Sequence, residues 1–349
     1  MTRAPAPNSC SSSTSATNAD APFDCLIVGA GPAGLTAATY LQRFHRRVLV
    51  VDAGASRARW IPTSHNCPGF PLGVSGDTLL QRLRAQAEAF GVERVEGRIE
   101  QLQCDDDGFL ARAGDGRSWR AAHVILATGI VDAMPPVDGL EDAIANGAVR
   151  LCAICDGFEA SDDRLAVYGP TNAAIDHALF LRTFSRRVAA LPSDADAADA
   201  EHVERAQSGG VPLRAAPVAL RHREGVCEVD YGDGSSETFD SLYAVLGGHA
   251  QSDLACALGA DCDADGCLHV DAHQQTSVDG LYAIGDVVSA LNQISVAVGQ
   301  AALAACHVHN RLPRNYREAD TQSEAQPSER RAGRDPPYAR SRSRRHRDM

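Results

Sequence analysis

Residues 23–41 read FDCLIVGAGPAGLTAATYL, and this stretch decides the fold. Its first six residues form an apolar run typical of a buried strand, and its last seven are good helix formers. Between them, Gly29 allows a tight turn, Gly31 lets the backbone approach a pyrophosphate, and Gly34 lets the helix pack closely on the strand. This order predicts a dinucleotide-binding site with the phosphates at the helix N-terminus. The candidate binding residues of this segment are Gly29, Gly31, Pro32, Ala33 and Gly34.

A second predicted strand supports this site. Residues 47–51 read RVLVV and are followed by Asp52, which lies 18 residues after Gly34. An acid at this place in the motif holds a ribose 2′-hydroxyl. Asp52 and its neighbour Ala53 are therefore candidate cofactor-binding residues, although the motif itself does not separate FAD from NAD.

The composition removes several classes of function. The chain has 349 residues, of which 44% are hydrophobic, and it contains no lysine. Schiff-base enzymes and P-loop phosphate binders require a lysine, so both classes are excluded. The formal net charge is −12, and residues 1–312 are more acidic still, because ten of the arginines lie in residues 313–349. An acidic body argues against nucleic-acid binding, which needs a basic surface.

The two ends of the chain differ from its centre. Residues 1–21 are rich in Ser, Thr, Ala and Pro without the apolar segment of a secretory signal, and residues 313–349 form an arginine-rich tail. Both ends are predicted to be disordered. The sequence has no run of about 18 apolar residues, so no membrane span is predicted. Eleven cysteines in a chain of this length favour a reducing compartment, the cytoplasm, with one or two special thiols.

Two further strand ends favour FAD. Residues 124–129 read VILATG, and residues 280–287 read GLYAIGDV. Both segments resemble those of the flavoprotein disulfide reductases with two dinucleotide domains. In that family the Gly-Asp carboxylate contacts the ribityl chain of FAD, and the helix after it, which would begin here near residue 292, points at the flavin. The resemblance adds the cofactor-binding candidates Thr128, Gly129, Gly285, Asp286, Gln293 and Ile294.

The segment CAICDG at residues 152–157 carries the strongest chemical signal. A C-x-x-C can be half of a zinc site, but the sequence has no second C-x-x-C, and Cys262 and Cys267 would complete such a site only in an unusual fold. A redox dithiol is the alternative, because two intervening residues put both sulfurs within reach across one helical turn. Asp156 follows directly and would transfer a proton during exchange. We therefore predict the catalytic residues Cys152, Cys155 and Asp156, and no metal site.

Together these motifs resemble the low-molecular-weight thioredoxin reductase family over roughly residues 22–312. The resemblance implies an α/β fold of two Rossmann-like, three-layer dinucleotide-binding domains, with the second inserted in the first. It also implies FAD as the cofactor, a homodimer, Cys155 next to the flavin, and Cys152 as the thiol that attacks the substrate disulfide. A thioredoxin-like protein or a small dithiol or disulfide would be the partner. The implied FAD-binding domain covers residues 22–148 and 249–312, and the inserted NAD(P)-type domain with the C-x-x-C covers residues 149–248.

The inserted domain departs from the family where the nicotinamide cofactor would bind. The family has a glycine-rich loop there, and an arginine run for the 2′-phosphate of NADPH. Here residues 169–172 read GPTN, and the next predicted strand, 187–191, opens into the acidic run PSDAD. A phosphate at this place would face like charge instead of a guanidinium group. NADPH, NADH and no nicotinamide all stay open, with Gly169, Thr171 and Asn172 as possible nicotinamide-binding residues.

A second departure follows Asp52. In place of the G-G-Q stretch of the reductases, the chain has a D-x-G-x-x-R pattern that ends at Arg57, and then His65 and Asn66. These residues are similar to those of the flavin-dependent dithiol oxidases, which close disulfides in small natural products and pass the electrons to dioxygen without nicotinamide. We include Arg57, His65 and Asn66 among the cofactor-binding candidates, with His65 either a base near the flavin or an exposed loop residue.

The direction of electron flow is therefore open. A reductase would take electrons from a nicotinamide donor and pass them to a disulfide. An oxidase would take them from a dithiol and pass them to dioxygen. A flavin-bound redox sensor without turnover is the third reading, and the pair Cys152 and Cys155 serves all three.

Overall fold

A computed structural model describes residues 22–288 and 291–317 of the chain. The predicted disorder of residues 1–21, and of the tail from residue 318 onward, lies outside the described residues. The first residues of the tail, 313–317, are described and form neither helix nor strand. In the part of the chain that the structure covers, we find no helix that is long and apolar enough to cross a membrane.

The helices and strands alternate in the order expected of dinucleotide-binding domains. The strands are β1 (Phe23–Val28), β2 (Val48–Asp52), β3 (Glu93–Glu96), β4 (Ile99–Asp105), β5 (Gly108–Ala113), β6 (Ser118–Leu126), β7 (Ile130–Asp132), β8 (Val137–Asp138), β9 (Val149–Arg150), β10 (Arg164–Gly169), β11 (Arg187–Pro192), β12 (Pro217–Arg223), β13 (Val226–Tyr231), β14 (Ser236–Phe239), β15 (Ser241–Ala244), β16 (Gly248–Ala250) and β17 (Leu281–Ala283). The α-helices are α1 (Pro32–Arg43), α2 (Gly76–Ala89), α3 (Leu140–Ala145), α4 (Ala153–Asp156), α5 (Thr171–Leu181), α6 (Ala200–Ser208), α7 (Asp253–Cys256) and α8 (Ile294–Arg311).

The largest sheet brings distant parts of the chain to one edge. Its order is β3-β2-β1-β6-β5-β4, and β17 pairs with the second half of β6. Strands β3, β2, β1, β6 and β17 run parallel, and Leu126 lies between Val28 on one side and Ala283 on the other. The carboxyl ends of these strands therefore coincide, so the segments that follow them meet at one place.

Both faces of the parallel strands are covered, as their continuous apolar sequences require. On one face, Ile27, Ile125 and Tyr282 pack against helices α1 and α8. On the other face, Leu26 and Leu126 belong to the same buried cluster as residues of β4, β5 and α7. The first domain is therefore built of three layers.

Helix α1 lies in close contact with the turn that precedes it. A Cβ added to Gly34 would lie 2.0 Å from the carbonyl oxygen of Gly29. No side chain fits in that space, which is the reason that the motif has a glycine at this position.

The inserted domain repeats this arrangement. Its parallel sheet has the order β11-β10-β15-β9. Helices α5 and α6 cover one face of that sheet through Ile175 and Ala206, and the antiparallel strands β12, β13 and β14 cover the other through Val229 and Phe239. Because β17 returns to the first sheet after all these strands, the second domain is inserted in the first. The predicted fold class is confirmed.

A two-stranded ribbon carries the chain into and out of the insert. Strands β7 and β16 pair in antiparallel fashion, with Gly248 opposite Asp132. Strand β8 already pairs with β12 of the inserted part, although the predicted boundary at residue 148 assigns it to the first domain. We therefore propose that the insert begins after Asp132 and ends before Gly248.

Replacement of Gly34 by alanine tests the close helix contact. A methyl group there would collide with the Gly29 carbonyl, so we expect Gly34→Ala to lower the free energy of unfolding by about 1–3 kcal/mol. The matched control is Gly299→Ala in α8, where no atom lies within 4 Å of the added Cβ. Alanine favours a helix interior over glycine, so the control is expected to gain about 0.5–1 kcal/mol. Urea unfolding followed by circular dichroism measures both values, and equal stability of the two variants would contradict this account.

Candidate active site

A cavity of about 460 Å³ opens where the carboxyl ends of β1, β2, β6 and β17 meet. The redox cysteines Cys152 and Cys155 line it. Two predicted cofactor-binding residues, Gly34 and His65, are not part of its wall. The others line it and are Gly29, Gly31, Pro32, Ala33, Asp52, Ala53, Arg57, Asn66, Thr128, Gly129, Gly285, Asp286, Gln293 and Ile294.

The glycine turn has the shape that a pyrophosphate needs. Gly29 has a φ of +104°, and a Cβ on it would lie 2.4 Å from the carbonyl oxygen of Ala127. Helix α1 begins directly after Gly31, so the unpaired N–H groups of its first turn lie at the cavity wall. Asp52 Oδ1 accepts a hydrogen bond of 3.2 Å from the N–H of Ala30. This bond holds Asp52, the residue predicted to bind a ribose, next to the glycine turn. These groups fit the diphosphate and one ribose of a dinucleotide.

A buried glutamine, which the sequence analysis did not predict, fixes the Gly-Asp turn after β17 by a hydrogen bond to its backbone. The N–H of Gly285 donates a hydrogen bond of 2.7 Å to Oε1 of Gln300 in α8. Gln300 is 8% exposed, and Ala297, Ala301 and Ala304 on the same helix are buried as well. The sequence did contain a signal for this contact. Gln300 is a single amide on an otherwise apolar helix face, and a buried polar group needs a hydrogen-bond partner.

Arg57 connects the cavity to the ribbon between the domains. Its Nε and Nη2 donate to the two carboxylate oxygens of Asp132 at 2.7 and 2.8 Å, and its Nη1 donates to Asp286 at 2.9 Å. Burial opposes the charge of Arg57, but the hydrogen bonds and charges of Asp132 and Asp286 raise its pKa. The guanidinium group therefore stays charged and orients the Asp286 carboxylate in the cavity. Asp132 was not among the predicted residues.

The predicted redox pair lies within the insert, where β9 leads into the four-residue helix α4. Cys152 and Cys155 are joined by a disulfide. Gln293, the residue before α8, has its Nε2 3.5 Å from the sulfur of Cys152 and 3.4 Å from that of Cys155. Asn66 Nδ2 donates to Gln293 Oε1 at 3.0 Å and so fixes the direction of that amide. The disulfide therefore lies against residues of the first domain, at the wall of the cofactor cavity.

Asp156 is half-buried and does not line the cavity. Its Oδ2 lies 3.1 Å from Nη1 of Arg150, and its Oδ1 accepts a hydrogen bond of 3.1 Å from the hydroxyl of Tyr243. Burial raises the pKa of Asp156, while the charge and hydrogen bond of Arg150 and the hydrogen bond of Tyr243 oppose the shift. A carboxyl group with a raised pKa takes up and releases protons closer to neutral pH than an ordinary one.

Arg150 and Tyr243 were missed by the sequence analysis for a topological reason. They are direct neighbours on the parallel strands β9 and β15. Residues paired in this way present their side chains on the same face, here the face toward Asp156. The position of Arg150, two residues before Cys152, was a weak signal of a role in the site. Tyr243 gave none, because its strand β15 lies far along the chain from β9.

His65 faces the insert instead of the cavity. Its Nδ1 lies 3.1 Å from Oε1 of Glu159, and its side chain is 42% exposed. In the same loop, Asn66 Nδ2 lies 3.5 Å from the carbonyl oxygen of Ile154. These contacts join the first domain to the segment around the disulfide.

The candidate nicotinamide-binding residues bind the chain's own acidic loop. Gly169 ends β10, and Thr171 begins α5. Thr171 Oγ1 lies 2.9 Å from Oδ1 of Asp194 and 2.8 Å from the carbonyl oxygen of Asp196. Asn172 Nδ2 donates to Oδ2 of Asp199 at 3.0 Å. The loop at residues 193–199 is thus bonded to the first turn of α5, beside the place where a second pyrophosphate would lie.

The described residues contain no group of three or more His, Cys, Asp or Glu side chains that could hold a metal ion. Cys262 and Cys267, which the zinc alternative would need, are free thiols in the first domain.

Comparisons with known proteins agree with this geometry. The family model for pyridine nucleotide-disulphide oxidoreductases matches residues 23–301. The thioredoxin reductase of Aquifex aeolicus is 30% identical over 295 residues, which cover 81% of this chain and 90% of the relative. That of Treponema pallidum is also 30% identical, covering 81% of this chain and 95% of the relative.

Solved structures give the same result. The crystal structure of thioredoxin reductase from Streptococcus pyogenes has a TM-score of 0.76 and 28% identity, covering 83% of this chain and 98% of that chain. The structure of HlmI has the same TM-score at 27% identity, covering 83% of this chain and 92% of that chain. With the glycine turn, the Gly-Asp turn and the disulfide on one cavity, the site fits FAD. The chain therefore belongs to the pyridine nucleotide-disulphide oxidoreductase family, in the low-molecular-weight thioredoxin reductase group, and is an FAD-dependent disulfide oxidoreductase.

Proposed function

We propose that this enzyme moves two electrons between FAD and the Cys152–Cys155 pair, and then exchanges them with a substrate dithiol or disulfide. The position of the disulfide carries the proposal, because both sulfurs line the cavity that fits FAD and both contact the amide of Gln293. When bound, FAD supplies an acceptor or donor for the electron pair. By the family resemblance, Cys155 is the sulfur that exchanges electrons with the flavin, and Cys152 is the sulfur that exchanges with substrate.

The thiol chemistry balances through a mixed disulfide. A thiolate of the substrate attacks Cys152, the Cys152–Cys155 bond breaks, and Cys155 leaves as a thiolate. The second substrate thiolate then attacks the substrate sulfur bound to Cys152, which releases the substrate disulfide and leaves two reduced cysteines. The reverse sequence reduces a disulfide substrate. Each substrate thiol must lose its proton to attack as a thiolate, and we assign the acceptance of that proton to the carboxylate of Asp156, one residue after Cys155.

Arg150 and Tyr243 act on this step through Asp156. Arg150 places a positive charge 3.1 Å from one carboxylate oxygen, and the Tyr243 hydroxyl donates to the other. Both contacts favour the ionised form and limit the upward shift that burial causes in the pKa of Asp156. Arg150 and Tyr243 are therefore positioning residues for the acid–base group.

The enzyme could run as a nicotinamide-dependent reductase or as a nicotinamide-independent dithiol oxidase. The residues at the start of α5, where a nicotinamide cofactor would bind, favour the oxidase. Three aspartates lie in the loop at residues 193–199, and Asp194 and Asp199 bond to Thr171 and Asn172 at the start of α5. A nicotinamide dinucleotide would have to break these bonds and bring its phosphates against like charge. Electrons then enter from a substrate dithiol and leave to dioxygen, which is reduced to hydrogen peroxide.

The substrate is a thioredoxin-like protein or a small dithiol. Ile154, between the two cysteines, is 51% exposed, and Phe158, two residues after Asp156, is 78% exposed. These apolar side chains beside the disulfide support contact with an apolar part of the substrate. We further propose a homodimer in the cytoplasm, as in the family that the chain resembles.

Anaerobic flavin reduction distinguishes the donors. We expect dithiothreitol to bleach the flavin absorbance of the holoenzyme, while NADPH and NADH leave it unchanged, because the acidic loop bonded to Thr171 and Asn172 would repel their phosphates. Cys152→Ser should abolish the bleaching by dithiothreitol. The control Cys104→Ser, which removes an exposed thiol, should react like the wild type. Rapid bleaching by NADPH in stopped-flow mixing would overturn the oxidase form, and bleaching of Cys152→Ser by dithiol would overturn the exchange mechanism.

The acid–base role of Asp156 predicts a pH profile. Asp156→Asn should slow flavin reduction by dithiol by about 10²–10⁴-fold, the usual contribution of a general acid–base group. The wild-type rate should rise with pH as Asp156 ionises, above the range of an ordinary carboxyl group, because burial raises its pKa. Arg150→Gln removes a contact that favours the carboxylate and so raises the pKa of Asp156. The acid limb of the pH–rate profile of this variant should therefore move to higher pH, and Tyr243→Phe should move it less.

The rate is measured by stopped flow from about pH 4, near the ordinary pKa of an aspartate, to about pH 9, roughly five units above it. A loss of flavin content alone, with the acid limb unmoved in both Arg150→Gln and Tyr243→Phe, would show that the two residues support the fold and do not tune Asp156.

A further inference from the structure

Two cysteines that take no part in the proposed mechanism lie side by side in the first domain. The sulfur atoms of Cys256 and Cys262 are 2.8 Å apart. Cys256 is the exposed last residue of α7, and Cys262 follows it in the next loop and is half-buried. A bonded pair of sulfurs is separated by about 2.0 Å, so closure requires a movement of less than about 1 Å.

We propose that Cys256 and Cys262 form a second, reversible disulfide, made by exchange with a low-molecular-weight disulfide such as oxidised glutathione. This pair is independent of the proposed function, because neither cysteine lines the cavity that holds Cys152 and Cys155.

The exchange balances in two steps. The thiolate of Cys256 attacks one sulfur of oxidised glutathione, which forms a mixed disulfide and releases one glutathione thiolate. The thiol of Cys262 loses its proton to solvent and attacks the Cys256 sulfur, which closes the Cys256–Cys262 bond and releases the second glutathione. Two cysteines are oxidised and one glutathione disulfide is reduced.

The surroundings assign the order of attack. The hydrogen bond with Cys256, burial, and the charges of Asp263 and Asp261 raise the pKa of Cys262 to about 11. Cys256 is the more exposed of the two thiols and meets a soluble disulfide first. Cys262 then acts as the resolving thiol from within hydrogen-bond distance.

The bond would fasten one wall of the cofactor cavity. Helix α7 supplies Asp253 and Leu254 to that wall. On the other side, Cys262 forms a β-bridge with Leu268, whose N–H donates a hydrogen bond of 2.8 Å to the carbonyl of Val287, next to Asp286. A disulfide between Cys256 and Cys262 therefore ties α7 to the segment behind the Gly-Asp turn.

Peptide mapping of the full-length holoenzyme tests the bond. The protein is reduced, desalted, incubated with oxidised glutathione, and then treated with N-ethylmaleimide. A protease that cleaves before aspartate separates the cysteines at Asp261. We expect the Cys256 and Cys262 peptides to be joined by a bond that dithiothreitol breaks, with the loss of two reactive thiols beyond the two of the Cys152–Cys155 pair. The joined peptides should persist in Cys104→Ser, and Cys256→Ser should leave Cys262 without a protein partner.

Two results would overturn the proposal. One is N-ethylmaleimide on both Cys256 and Cys262 after incubation with oxidised glutathione. The other is a bond from Cys262 to Cys267. The link to the cofactor has its own measurement, the rate of FAD release followed by flavin fluorescence. Release should be slower from the oxidised protein than from the reduced one, and this difference should be absent in Cys256→Ser; equal rates in the wild type would overturn the coupling to the cavity.

Discussion

The register of three parallel strands is the constraint on which the site depends. Leu126 at the end of β6 lies between Val28 of β1 and Ala283 of β17, so the glycine turn, the Ala-Thr-Gly segment and the Gly-Asp turn leave the sheet at one level. A shift of a strand by one residue would reverse which face each side chain occupies and would bury the wrong set. The cofactor cavity is therefore a product of strand pairing, and its chemistry is added by the short turns that follow.

Burial does two different things to the charged groups of this site. At Arg57, two carboxylates compensate for the loss of water, so the guanidinium group stays charged. At Asp156, one arginine and one tyrosine compensate only in part, so the pKa of the carboxyl group remains raised. The first arrangement suits a fixed electrostatic anchor, and the second suits a group that must gain and lose a proton.

The sequence motifs predicted those parts of the site that depend on residues close together in the chain. Gly29 is required by its backbone conformation and Gly34 by close packing, and the two-residue spacing of Cys152 and Cys155 lets them form a disulfide. Residues missed by this reasoning act across long distances in sequence: Tyr243 reaches Asp156 only through the pairing of β15 with β9. The acidic loop was visible in the sequence, but its bonds to Thr171 depend on how α5 and the loop pack. His65 was predicted near the flavin, but its side chain contacts Glu159 instead of lining the cavity, and the sequence does not determine that orientation.

The ribbon of β7 and β16 limits where the inserted domain can turn. In strand β7, the carboxylate of Asp132 accepts hydrogen bonds from Nε and Nη2 of Arg57, and Nη1 of the same arginine holds Asp286 at the cavity. The contacts that join the domains near the disulfide are weaker: His65 with Glu159 and Asn66 with Ile154 are single and partly exposed, and Gln293 meets the two sulfurs only at 3.4 and 3.5 Å. A rotation of the insert would break those weaker contacts and leave the hydrogen bonds of Arg57 intact. The two connecting segments beyond the hydrogen bond from the N–H of Ala133 to the carbonyl oxygen of Gly247 would therefore take up the turn, and the walls of the cavity next to Arg57 would stay in place while the disulfide moved away from it.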